Sequence, residues 1–210
     1  MLGLCDAYGK FIVVDIGAPG RRSDGGIFRE SEFGKKLFSK QINLPEPCKL
    51  GESGPTVPYF IVGDEAFPLT EFLLKPFPRR VKLSTRQKIY NYRICRGRRM
   101  IECAFGMLAQ RFRIFRKPIL ARLSTVKQIV QAAVVLHNFI IEIQRPNVND
   151  ENLMDQLAWN SITNNLQRNS TENCDLVLKK AIEIRKSLCE YFMYEGSVHW
   201  QWSKVRNLDY

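Results

Sequence analysis

Apolar positions along the chain change period several times, and each change predicts an element. Met1 to Ala7 and Phe11-Ile12-Val13-Val14-Asp15-Ile16-Gly17 flank Tyr8-Gly9-Lys10, which predicts strand, tight turn, strand. Ala18-Pro19-Gly20 closes the second strand. Ser23 or Asp24 then suits the N-cap of a helix over roughly residues 25–39, with Ile27, Phe28, Phe33, Leu37 and Phe38 on its buried stripe. Four prolines and two glycines make residues 43–58 a loop. Tyr59-Phe60-Ile61-Val62 is a short continuous apolar run, which predicts a fully buried strand ending at Gly63-Asp64. Leu69 to Leu74 reads as a helical turn before the Pro76/Pro78 break.

Helical period takes over from about Ser84 to Phe112. Ile101, Phe105, Leu108, Phe112 and Phe115 recur at spacings of four and three and form one stripe. Glu102 lies at the edge of that stripe, and Gly106, one turn on, keeps its side open. Pro118 ends the segment. Val126, Ile129, Val130, Ala133, Val134, His137, Ile140 and Ile141 outline a second long helix. Residues 145–173 hold eight asparagines and little period, the pattern of a polar linker. Val177, Ala181, Ile184, Leu188 and Tyr191 mark a third helix that packs back on the domain. Trp200 and Trp202 alternate in a tail too short to read. The expected organisation is a domain over 1–144, a linker over 145–173 and a C-terminal helix and tail over 174–210.

Charge adds one feature. Between Arg79 and Arg122 stand fourteen Lys and Arg and a single acid, Glu102, for a net +13, whereas the whole chain carries +11. The positive charge therefore belongs to one segment, and its clustering favours a polyanionic partner. Polyanion binding explains the arginines but not the glutamate, which repels phosphate. A divalent cation held by that carboxylate would reconcile the two. No run approaches the ~20 apolar residues of a membrane-spanning helix, so no membrane is expected. The six cysteines are scattered without a CxxC pair, which excludes a zinc knuckle or finger and suits reduced thiols.

Four strings carry a family resemblance. Val14 to Arg29, with its Gly-turn and Ser23-Asp24, resembles a segment of PIF/Harbinger-type transposases. Val62-Gly63-Asp64-Glu65-Ala66-Phe67-Pro68-Leu69 is similar to their Gly-Asp-x-x-Tyr/Phe-Pro-Leu box. Asn91 to Gly106 is similar to their Arg-rich helix with Glu-x-Ala-Phe-Gly, and Leu136-His137-Asn138 to their Leu-His-Asn. The order hairpin, helix, buried strand ending in Asp, and long helix bearing Glu is in turn similar to an RNase H-like arrangement. The resemblance implies an α/β class, an RNase H-like mixed sheet flanked by helices and incomplete at the N-terminus.

It further implies a DDE-superfamily endonuclease that cleaves DNA and transfers strands with two Mg²⁺ or Mn²⁺ ions. Asp64 and Glu102 would be the second and third acids of the triad, and Asp24 a further metal ligand. Arg93, Arg96, Arg98, Arg99, Arg111 and Arg113 would contact DNA. A Myb-like partner and a nuclear location, with the cytoplasm open, follow from the same resemblance. The first triad Asp normally sits upstream in an Asp-Gly-x-His-like box that this chain does not contain, so the expectation is an impaired enzyme missing an N-terminal portion, through truncation or an incomplete gene model. Asp6 and Asp15 are poor substitutes, since neither lies in a matching box. The alternative is a non-catalytic module that binds nucleic acid or protein.

Each site has a plainer reading. Glu102 would pair with Arg98 or Arg99, Asp64 would hold a turn and Asp24 would cap a helix. His137 would be a hydrogen-bonded core histidine with Asn138 as its companion.

Overall fold

A computed structural model describes residues 1–18, 23–78, 80, 82–144 and 174–206. The linker expected at 145–173 lies outside them. The described residues form a mixed α/β fold of six strands and six helices, with one 3₁₀ turn. The strands are β1 (Leu2–Cys5), β2 (Phe11–Asp15), β3 (Cys48–Lys49), β4 (Thr56–Val57), β5 (Ile61–Val62) and β6 (Leu73–Leu74). The helices are α1 (Asp24–Glu30), α2 (Glu32–Phe38), α3 (Thr85–Arg111), α4 (Leu123–Gln144), α5 (Cys174–Met193) and α6 (His199–Arg206). The strands pair two by two: β1 with β2, β3 with β4, and β5 with β6. The chain divides into two compact units, one built on Met1–Lys35 and the stretch from Arg99, the other on Lys36–Arg98 and the C-terminal stretch.

In the first unit β1 and β2 form the expected antiparallel hairpin, with Leu2 opposite Asp15 and a bulge between Leu4 and Cys5. Asp6 organises its turn: Oδ1 accepts the backbone N–H of Tyr8 (2.8 Å) and of Lys10 (2.9 Å). Gly9 closes the turn at φ +83°, where a side chain is strained. Phe11 enters a core of Ala104, Leu108, Ala133 and Val134, joined by Ile101, Phe105, Phe112 and Phe115. The stripe read on the second half of α3 is thus the face that packs.

One expected helix is two. Ser31 adopts an extended backbone (φ −62°, ψ 152°) between α1 and α2. Its hydroxyl donates to the Phe28 carbonyl (2.7 Å) and accepts the Gly34 N–H (2.9 Å), finishing one helix and capping the next. A serine inside an apolar periodic run gave no warning of the break.

In the second unit the parallel pair β5–β6 corrects the reading of Leu69 to Leu74 as a helical turn. Ile61 N–H donates to the Phe72 carbonyl (2.8 Å) and Gly63 N–H to that of Leu74 (2.9 Å). Leu73 and Leu74 are the buried strand, while Ile61 and Val62 are only half-buried. The apolar run at 59–62 marked a strand but the wrong one for full burial. Leu74, Tyr90, Ile94, Leu188 and Cys189 form this core, so α5 packs against the first half of α3. Within the loop predicted at 43–58, β3 and β4 add a short antiparallel rung.

Candidate metal and nucleic-acid site

The long helix α3 carries Glu102 and most of the cations. It starts on a reciprocal cap: Ser84 N–H donates to Gln87 Oε1 (2.9 Å) and Gln87 N–H to Ser84 Oγ (3.4 Å). Glu102 is exposed in the first unit. At Gly106, one turn later, an added Cβ would meet nothing within 4 Å, so the helix is open at that point.

Asp64 lies in the second unit, just after β5. Its Oδ1 accepts the Ala66 N–H (2.8 Å) and its carbonyl the Phe67 N–H (3.3 Å), an Asx turn. The turn role weighed from sequence is real. Asp24, in the first unit, is exposed as the first residue of α1 and is not its cap. Ser23 is the cap, its Oγ accepting the Gly26 N–H at 3.3 Å. A carboxylate at that position complements the positive end of the helix dipole. Asp6 is occupied in the hairpin turn and Asp15 belongs to β2.

Carboxylate oxygens are the donor type that hard divalent cations take. The number falls short, because among the described residues no three His, Cys, Asp or Glu side chains gather where a metal could be held.

The cations divide by what they do in the fold. Arg93 is half-buried: Nη1 donates to the Gly196 carbonyl (3.1 Å) and to Gln201 Oε1 (3.3 Å), and the guanidinium lies 4.6 Å over Phe192. Burial lowers its pKa, with Arg96 pushing the same way against Tyr191. Arg86 pairs with Glu190 and donates to the Tyr194 hydroxyl (3.0 Å). Arg111 donates to His137 Nδ1 (3.2 Å) and Gln144 Oε1 (3.0 Å). Arg96 stacks 4.1 Å over Trp200 yet stays exposed, a geometry that leaves its N–H edge for phosphate. Arg99 and Arg113 are exposed and Arg98 is half-buried.

His137 is fully buried. With Nδ1 accepting from Arg111, Nε2–H donates to the Gly9 carbonyl (2.9 Å). Burial lowers its pKa and Arg111 adds to this, while the Gly9 bond opposes. Asn138 reads the edge of β2, its Oδ1 accepting the Phe11 N–H and its Nδ2 donating to the Phe11 carbonyl, both at 2.8 Å. Asn91 clamps Phe77 in the same manner (2.7 and 3.0 Å). The His-Asn pair is structural, as its place on the apolar face of the helix predicted.

Sequence reasoning missed the aromatic and cationic cluster around α6. Gln201 is fully buried there and donates to the Phe192 carbonyl (2.8 Å). The tryptophans at 200 and 202 are the signal: their tail is too short to read from sequence, and they sit on a helix.

Comparison with known proteins gives one family and one curated relative. The DDE superfamily endonuclease profile matches residues 1–138. A protein described as "Protein ALP1-like" from Arabidopsis thaliana is 28% identical over 158 residues, covering 72% of this chain. The chain spans just over a third (37%) of that relative's length. No solved structure matches. The matched residues include the hairpin, the Asp64 loop, the whole of α3 and the His137-Asn138 clamp, and by that match the chain belongs to the DDE superfamily endonuclease family.

Proposed function

We propose that this chain is a Harbinger-transposase-derived, RNase H-like nuclease domain that binds DNA and cleaves phosphodiesters with Mg²⁺ or Mn²⁺. The observation that carries the reading is the family match over residues 1–138, which contains Asp24, Asp64 and Glu102 in order. Asp64 and Glu102 would hold the cation, with Asp24 as a further ligand. The metal would supply a Lewis acid for the scissile phosphate and lower the pKa of water. The exposed cations Arg96, Arg99 and Arg113 would neutralise backbone phosphates and set the register of DNA. The open helix position at Gly106, one turn from Glu102, supports approach of a nucleic-acid backbone. DNA is the substrate class the family implies; a Myb-like partner and nuclear residence belong to the same proposal.

The lack of a three-ligand cluster among the described residues favours a second reading, a non-catalytic module that binds nucleic acid or protein. Titration of Mn²⁺ into residues 1–210, with melting temperature and plasmid nicking as readouts, separates the two. The nuclease reading expects Mn²⁺ to raise the melting temperature of the wild type and not of Glu102→Gln, with any nicking lost in the variant. No metal effect, together with unchanged DNA affinity in Glu102→Gln, defeats the nuclease reading and leaves the binding module.

A further inference from the structure

Helix α6 is held to α3 by one arginine and faces a second. Arg93, half-buried, binds the Gly196 carbonyl and Gln201 Oε1 and lies over Phe192 (4.6 Å) and Trp200 (5.4 Å). Those contacts tie the start of α6 to α3. Arg96, one turn later, is exposed, and its guanidinium stacks 4.1 Å over Trp200. Tyr92 meets the same indole in a T-shaped pair, centroids 5.9 Å apart. Two guanidiniums thus share one indole, and among the described residues neither has a carboxylate partner. Burial is the main cause that lowers the Arg93 pKa, and the Arg96 charge adds to it. The local sequence brings no counter-charge: no acid occurs from Phe72 to Ile101, and α6 carries none. The acids nearest before α6 are Glu190, paired with Arg86, and Glu195, which pairs with neither guanidinium.

We infer that the Arg96–Trp200 stack is a DNA contact: Trp200 holds the guanidinium in place, and the outward N–H edge takes a backbone phosphate. This rests on the DNA-binding reading above and extends it to a helix beyond the matched residues 1–138. Trp200 is a positioning residue that acts through Arg96. An indole face fixes the plane of a guanidinium and leaves its donors in that plane, so less side-chain freedom is lost when phosphate binds. Packing of α6 accounts for Arg93 but not for a second, exposed guanidinium set against it. A phosphodiester relieves that repulsion and accepts from paired N–H donors. Lys204, exposed one turn along α6 from Trp200, adds a cation on the same helix face. The family match selects phosphodiester over an acidic peptide as the anion. Cleavage does not enter, since Asp24, Asp64 and Glu102 take no part.

The test measures fluorescence anisotropy of a labelled DNA duplex with residues 1–210. Trp200→Leu removes no charge, yet should weaken binding about two- to fivefold, the range expected for an exposed cation–π contact. Trp200→Phe keeps a ring and should retain most of the affinity. Arg96→Lys keeps the charge without the planar stack and should lose a similar factor. In an Arg96→Gln background Trp200→Leu should cost nothing further, because the indole acts through that guanidinium. Arg96 is exposed, so its variants should fold, and they decide the matter if Trp200→Leu does not fold. Full affinity in Arg96→Lys overturns the inference. An equal loss from Trp200→Leu with and without Arg96 also overturns it, since the indole then serves folding alone. So does a Glu-rich peptide whose binding, and not that of DNA, depends on Arg96. Failure of the wild type to bind the duplex defeats the DNA-binding reading and this inference together, whereas binding that is indifferent to both residues defeats this inference alone.

Discussion

Removing the Asn138 amide tests whether the matched Leu-His-Asn string is there for folding. Asn138 makes two hydrogen bonds to Phe11, both at 2.8 Å, and Phe11 is 5% exposed, so water is a poor replacement. A neutral hydrogen bond contributes about 0.5–1.5 kcal/mol net, and a buried group left without a partner costs about 1–3 kcal/mol. Asn138→Ala orphans one N–H and one carbonyl, which puts the loss at roughly 2–4 kcal/mol after partial relaxation. Lys10→Ala offers a scale, because it removes the partly exposed pair with Glu142, for which about 0–1 kcal/mol is expected. Asn138→Asp should be no better than Ala: the Nδ2 donor becomes an oxygen facing the Phe11 carbonyl.

Urea unfolding measures the total, and hydrogen exchange at the Phe11 amide reports the local break. Asn91→Ala serves as the matched experiment in the second unit. It should deprotect the Phe77 amide and leave Phe11 protected, with Asn138→Ala giving the converse. A loss below about 0.5 kcal/mol with Phe11 exchange unchanged would mean that neither bond matters and that the string answers to something other than packing.

His137 gives a pH prediction. Its folded pKa lies below the ordinary histidine value, so the unfolded chain binds the proton first and stability rises with pH across that window. Its contribution is full above the unfolded pKa, about 6.5, and is lost as pH falls through the folded value. Melting temperature against pH should therefore fall more steeply on the acid side for the wild type than for His137→Gln, and parallel curves would refute the assignment. Ser31→Ala should cost about 1–2 kcal/mol in thermal unfolding through loss of the cap. Gly34→Ala should cost more, because its Cβ would overlap the Phe28 carbonyl oxygen; equal losses would show that the α1–α2 junction yields. Arg93→Ala should lower the melting temperature while leaving the salt slope of DNA binding unchanged. Arg113→Ala should reduce that slope by about 1 and leave the melting temperature alone.

Long periodic segments were legible in the sequence. The helix expected from about Ser84 to Phe112 is Thr85–Arg111, and the next two apolar repeats are Leu123–Gln144 and Cys174–Met193. Each repeats its apolar spacing over several turns, so local period and tertiary burial agree. The failures are short elements whose identity is decided elsewhere. Leu73-Leu74 becomes a strand because the backbone of Ile61 and Gly63 is there to pair with. Ser31 breaks a helix because its hydroxyl can serve both ends at once. The first fact lies outside the segment's own residues; the second lies within them, in hydrogen bonds that apolar spacing does not encode.

The candidate site divides along the same line. Sequence gives the sign of a side chain, and the fold decides whether that charge remains available. Read as sequence, Arg93 and Arg113 are equivalent cations in one basic segment. In the fold Arg93 stacks on Phe192 and binds the Gly196 carbonyl, whereas Arg113 faces solvent. A family string can likewise mix two kinds of residue. Asn91 and Asn138 are accounted for by the backbone each clamps, and one oxygen of Asp64 by its turn. Glu102 is exposed on the most basic helix among the described residues, one turn from Gly106. Substitution there should change what the molecule binds, and substitution at the asparagines whether it folds.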